Sequence, residues 1–108
     1  MSLQLKCSEH AKIRIKERMG ITGKREVKDL TRNAFHKGLS MKKHYLPKNL
    51  LNWVDNKVNK KYHGRCSQFR IYNGNLFLFS KSLTLVTVIP VPKKLQPQKA
   101  NYELVRYR

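Results

Sequence analysis

A chain of 108 residues suits one domain with one modest core, and it sets 24 Lys and Arg against 6 Asp and Glu, a formal net charge of +18. Self-repulsion on that scale weakens a compact state unless a polyanion offsets it, which makes nucleic acid the first partner to consider: each phosphate neutralised releases condensed counterions. A membrane is excluded as a partner on three counts, since no apolar stretch approaches the roughly 20 residues of a span and neither a broad amphipathic face nor a lipidation motif is present.

Met1-Ser2-Leu3 lacks the apolar core of a secretory signal, and Cys7 and Cys66 stand in no metal-binding spacing. A cytoplasmic protein with reduced thiols is expected. Ser8 suits the N-cap of a first helix, Glu9 to Met19, stopped by Gly20. Ala11, Ile15 and Met19 form its narrow apolar stripe, bordered by Arg18, while His10, Arg14 and Glu17 share the neighbouring face. The spacing of Val27, Leu30, Thr31, Ala34 and Phe35 predicts a second helix over about Lys24 to Lys37, ended by Gly38. Leu39 to Leu46 reads as a basic connection. Pro47 suits the first turn of a third helix running to about Tyr62, buried along Leu51, Val54, Val58 and Tyr62. The opposite face bears Lys48, Asn49, Asn52, Asn56, Lys57 and Lys60, a polar cationic surface with few carboxylates.

From Arg65 to Val91 the apolar residues alternate as in strands. An Asn73-Gly74 turn sets Ile71 opposite Leu76, Arg70 opposite Phe77 and Phe69 opposite Leu78. A second turn at Ser80-Lys81-Ser82 then puts Leu85, Thr87 and Ile89 on the face of Ile71, and Thr84, Val86 and Val88 on the face of Arg70, Tyr72, Phe77 and Phe79. The second face mixes polar with apolar residues, so it is expected to be partly open and to hold a ligand groove. The fold class is α+β, with two to three N-terminal helices packed on a C-terminal antiparallel meander of three to four strands. The domain is expected to span 1–91, followed by a basic, proline-containing tail over 92–108 in which Tyr102 to Leu104 suits a short edge strand.

No Asp or Glu occurs between Asp55 and Glu103, so the sheet lacks the carboxylates that a two-metal nuclease uses to hold its ions. His10, His36, His44 and His63 show no zinc spacing. Neither a metal nor a cofactor is expected. A metal-free route specific to RNA remains: the 2′-hydroxyl attacks the adjacent phosphorus when a base near neutral pKa removes its proton and cations hold the charge on the non-bridging oxygens. His10, Arg14, Arg70 and His63 are the candidate catalytic residues. Arg18, Lys57, Lys60, Lys61, Arg65, Tyr72 and Lys81 are the candidate nucleic-acid contacts. Arg14 and Glu17 also suit a plain surface pair, and Arg70, between Phe69 and Ile71, also suits an edge-strand gatekeeper.

The opening helix, with His10, Ala11, Arg14, Glu17, Arg18, Gly20 and Ile21, followed by more helix and a meander ending Thr87-Val88-Ile89-Pro90, resembles small phage and bacterial RelE-like proteins of the metal-independent ribonuclease toxin group. That resemblance implies a helical layer on an antiparallel sheet, an RNA-facing sheet surface, cleavage by scattered basic and polar residues, and a small acidic antitoxin-like partner. The leading expectation is therefore a nucleic-acid-binding protein, RNA favoured over DNA, acting as a metal-independent endoribonuclease. Two other readings stand beside it: a DNA-binding relative of the winged helix, with the Asn/Lys face of the third helix in the major groove, and a phage-encoded inhibitor of a host nucleic-acid system.

Overall fold

The computed structural model describes residues 5–40, 46–61 and 66–96. Ser8 opens helix α1, Glu9–Met19: its Oγ accepts the Ala11 N–H at 3.1 Å, satisfying one of the donors that a helix N-terminus leaves without a partner. Gly20 closes α1 in the left-handed region at φ 69°, with its N–H on the Lys16 carbonyl, a position that glycine takes at little cost. Helix α2, Lys24–Lys37, buries Val27, Leu30, Thr31 and Ala34 along one face, and helix α3, Lys48–Lys61, follows Pro47. The predicted bounds of the first two helices hold.

Strands β2, Gln68–Tyr72, β3, Asn75–Phe79, and β4, Thr84–Pro90, form the antiparallel meander. Asn73 and Gly74 both take positive φ, 51° and 73°, as a primed hairpin turn requires, and the predicted pairs Ile71–Leu76, Arg70–Phe77 and Phe69–Leu78 are all present. A short strand β1, Lys6–Cys7, pairs parallel to β4 and completes a four-stranded sheet in the order β1-β4-β3-β2. Sequence reading did not anticipate β1; the edge strand expected at Tyr102 to Leu104 lies outside the described residues.

The second half of the meander departs from simple alternation. Leu78 pairs with Thr87 but Phe79 pairs with Leu85, so Val86 is an extra residue on β4. This bulge moves Leu85 to the side of Phe77 and Phe79 and Val86 to the side of Ile71, the reverse of the expected assignment. Ser8 Oγ donates to the Val86 carbonyl at 3.1 Å, so the residue that caps α1 also ties it to the bulge.

Each face of the sheet carries its own helical layer. Ala11, Ile15, Val27, Leu30 and Ala34 of α1 and α2 pack on Phe77, Phe79, Leu85 and Val88. On the other side Leu50 and Val54 of α3 pack with Ile71, Leu76, Leu78 and Val91. The anchor of α3 is Leu50, fully buried, rather than the expected Leu51, which is half-buried; the expected Tyr62 lies outside the described residues. On the face expected to be partly open, Arg70, Tyr72 and Thr84 are half-buried, whereas its centre is closed. Phe77 and Phe79 on it are fully buried under α1 and α2, because the apolar area of both faces demands cover.

α2 meets β2 closely at Gly38. A Cβ there would collide with the Ala34 carbonyl and lie 2.9 Å from the Arg70 Cβ. The chain leaving Gly38 then pairs with β2: the Leu39 N–H donates to the Ile71 carbonyl at 2.8 Å and the Ile71 N–H returns the bond at 3.0 Å. After β4, Pro92–Gln96 turns through a single 3-10 turn, Lys93–Leu95, and Leu95 packs against the α3 side. The remainder of the expected tail lies outside the described residues.

Candidate functional site

Arg70 is built into the fold. Its Nε–H donates to the Phe35 carbonyl at 2.9 Å, Nη1 donates to the Phe69 carbonyl at 2.8 Å, Nη2 donates to Gln68 Oε1 at 3.1 Å, and the guanidinium lies 4.5 Å over the Phe35 ring. The Phe35 carbonyl is one of the four that end α2 without an intrahelical donor, so Arg70 caps that helix from the neighbouring strand. Desolvation lowers the Arg70 pKa from its ordinary value, and the charge is compensated by these bonds and the ring rather than by an anion. Of the two readings open to Arg70, a ligand-facing cation or an edge-strand gatekeeper, these bonds describe neither: the side chain is a half-buried strut between α2 and β2. Tyr72 likewise packs edge-to-face on Phe77, 6.2 Å between centroids, as part of the α1–α2 core.

His10 is exposed on α1. Arg14, one turn on, holds Glu17 through Nη1–Oε1 at 3.0 Å, and Arg18 is exposed at the end of the helix. Among the described residues neither His10 nor Arg14 is hydrogen-bonded or ion-paired to Arg70, Tyr72 or Lys81. Of the expected catalytic set, His10 and Arg14 stand on α1 and Arg70 at the α2–β2 junction. Lys81 is exposed in the β3–β4 turn, beside hydroxyls that bond one another: Ser80 Oγ to Ser82 Oγ at 2.9 Å and Ser82 Oγ to Thr84 Oγ1 at 3.3 Å. His63 and Arg65 lie outside the described residues, as do the side chains of Lys60 and Lys61, whose backbone belongs to α3.

Two cationic surfaces emerge, one on each side of the sheet. On the α3 side Lys48 and Lys57 are exposed with Asn49, Asn52 and Asn56, and the turn after β4 adds Lys93 and Lys94. Asp55 is the carboxylate of α3, and among the described residues it takes part in no ion pair. Asn49 Oδ1 accepts the Leu50 N–H at 2.9 Å, whereas the amides of Asn52 and Asn56 point into solvent from adjacent turns with no hydrogen bond among the described residues. Lys57 Nζ stands 5.8 Å from the centroid of the half-buried Trp53 ring.

On the other side, a groove of about 770 Å³ runs between α1 and α2 down to β1. Five lysines, Lys6, Lys12, Lys16, Lys24 and Lys28, surround apolar walls made by Leu5, Ile13, Ile21 and Val27. Ile13 is 56% exposed, the exposed large apolar side chain of the described residues. Lys12 pairs with Glu9 at 3.2 Å; among the described residues the other four rim lysines form no ion pair. At the base, burial pushes the Cys7 thiol pKa up, against the smaller lowering effects of a hydrogen bond with Thr31 and the charge of Lys12. Sequence reasoning missed this groove. Lys12 and Lys16, then Lys24 and Lys28, each one helical turn apart, were its available signal, but only the packing of the two helices over β1 joins them.

Among the described residues no three His, Cys, Asp or Glu side chains group to hold a metal, and no helix is long and apolar enough to cross a membrane. Comparison with models of known families, with curated proteins and with solved structures found no match to this chain. Fold and site define an α+β protein with helices on both faces of a mixed four-stranded sheet and a separate cationic surface on each side.

Proposed function

We propose that this protein binds nucleic acid, RNA in preference to DNA, by phosphate contacts on the α3 side of the sheet. The supporting observation is that Lys48, Lys57, Lys93 and Lys94 are all exposed on or next to the α3 side of the sheet, with the amides of Asn52 and Asn56 and the single α3 carboxylate of Asp55. Cations without local acid partners retain their charge for phosphate, and Asn side chains add donors and acceptors without adding repulsion. Lys60 and Lys61 extend the same helix.

The preference for RNA rests on the sequence likeness to RelE-like proteins and on His10, an exposed imidazole one turn before Arg14, a pair suited to 2′-hydroxyl chemistry. In the cleavage reading His10, or His63, is the base and Arg14 a phosphate-holding cation; His10 and Arg14 stand on α1, across the sheet from α3, so this reading requires the bound RNA to extend around the sheet to α1. A second reading, duplex DNA, is favoured by Asn52 and Asn56, whose adjacent exposed amides suit adenine edges in a major groove. Against it, β3 of the β2–β3 hairpin is buried between the helical layers rather than extended as a solvated wing.

Binding and cleavage of a labelled single-stranded RNA, with matched duplex DNA as comparison, test these readings in excess EDTA. RNA binding lost in a Lys48→Glu/Lys57→Glu variant is the expected result. EDTA-insensitive products ending in a cyclic phosphate, absent with His10→Ala, would establish catalysis. Preference for the duplex would move the assignment to DNA, and RNA binding unchanged in the charge-reversed variant would refute the α3 surface.

A further inference from the structure

We infer that the groove between α1, α2 and β1 binds a small single-chain amphiphile with an anionic head, a long-chain carboxylate or an alkyl phosphate, as a free molecule. The site lies across the sheet from the nucleic-acid surface proposed on the α3 side and does not depend on it. Its volume of about 770 Å³ is that of a small-molecule pocket, a class that spans roughly 300–1,000 Å³. Its chemistry is divided as such a ligand is divided. Leu5, Ile13, Ile21 and Val27 make apolar walls, and Ile13 is 56% exposed, so a hydrocarbon chain laid along them covers surface that water solvates poorly. Around these walls Lys6, Lys16, Lys24 and Lys28 are exposed and form no ion pair among the described residues, so a head at the rim meets cations that lack acid partners. At the floor the Cys7 thiol is hydrogen-bonded with Thr31 and burial raises its pKa, so the deepest part is neutral and suits the chain rather than the head.

Other ligands satisfy only half of this. A nucleic acid supplies phosphate, but no aromatic side chain lines the groove for base stacking, and no Asn, Gln, Asp or Glu is there to read base edges. A small polar anion answers the lysines and leaves the walls wet. A neutral apolar molecule does the reverse, and a cationic amphiphile is repelled at the rim. A bilayer surface is a poorer fit than a free amphiphile, because the apolar residues line a groove between two helices and β1 rather than one broad helical face.

The test titrates the full chain with octanoate, decanoate, dodecanoate and dodecyl phosphate, and with inorganic phosphate and dodecyltrimethylammonium as controls, each below the concentration at which it forms micelles. Chemical-shift mapping should show dodecanoate or dodecyl phosphate saturating a single site and perturbing Ile13, Ile21 and Val27, and the tighter of the two identifies the head. Along the carboxylate series affinity should rise by about fourfold for each CH₂ added. Ile13→Ser, at an exposed position, should weaken the amphiphile by about tenfold, the order expected for losing one well-buried aliphatic contact, while RNA affinity stays unchanged. Lys16→Glu/Lys28→Glu should weaken it further, and the bound chain should slow alkylation of Cys7. The inference is overturned if no amphiphile perturbs the groove, if chain length or Ile13→Ser has no effect, if inorganic phosphate or the cationic amphiphile binds there as tightly, or if RNA shifts the same resonances and displaces the amphiphile. Failure of RNA binding with intact amphiphile binding would refute only the α3 reading.

Discussion

Ser8, Gly38 and Arg70 each perform two tasks, so single changes at them act on more than one element. Ser8 Oγ accepts from the Ala11 N–H and donates to the Val86 carbonyl. Ser8→Ala is expected to cost about 2 kcal/mol, a lost cap together with a bulge carbonyl deprived of its donor; Ser8→Asp should recover only the cap part. Chemical denaturation of the three proteins measures the difference. Gly38→Ala should cost about 1–3 kcal/mol, because its Cβ would have to displace a helix carbonyl and the Arg70 side chain. Arg70→Ala removes the donors that cap α2 and the cation over Phe35, so its melting temperature should fall even where RNA affinity is unaffected. Cys7 supplies a pH test. Burial raises its pKa, so less thiolate is present at mildly alkaline pH, and alkylation in the native protein should be slower and rise at higher pH than in the denatured chain. Equal rates in both states would contradict the buried setting.

Local rules made α1, α2 and the first hairpin legible. Ser8 and Gly20 bound α1 as cap chemistry dictates, α2 runs over the predicted residues, and Asn73-Gly74 sets the β2–β3 register. What was not legible depends on packing between distant segments. The bulge at Val86 follows the turn that holds Leu83 at φ 63°, and a slip of one residue exchanges the faces of Leu85 and Val86 with no sign in the alternation itself. β1 is too short to show a period. Arg70 looked available because its strand neighbours are apolar, whereas its partner is the end of a helix 35 residues earlier in the chain. In α3, Leu50 and Val54 carry the contact to the sheet, so Leu50→Ala should cost about 2–5 kcal/mol, more than Leu51→Ala, when both are compared by thermal unfolding.

At the scale of the molecule, the fold separates two cationic surfaces with a covered sheet, and a net charge of +18 leaves both short of counter-charge. Raising the salt concentration should therefore stabilise the free protein by screening its self-repulsion. The same salt should weaken the RNA complex proposed here. The central claim, that phosphate is what the α3 side awaits, is tested most directly by titrating a single-stranded RNA at several salt concentrations in EDTA and plotting log affinity against log salt. The account predicts a steep negative slope that becomes shallower by about one unit when Lys57 is changed to Ala. No RNA binding at low salt, or binding with no salt dependence, would contradict it.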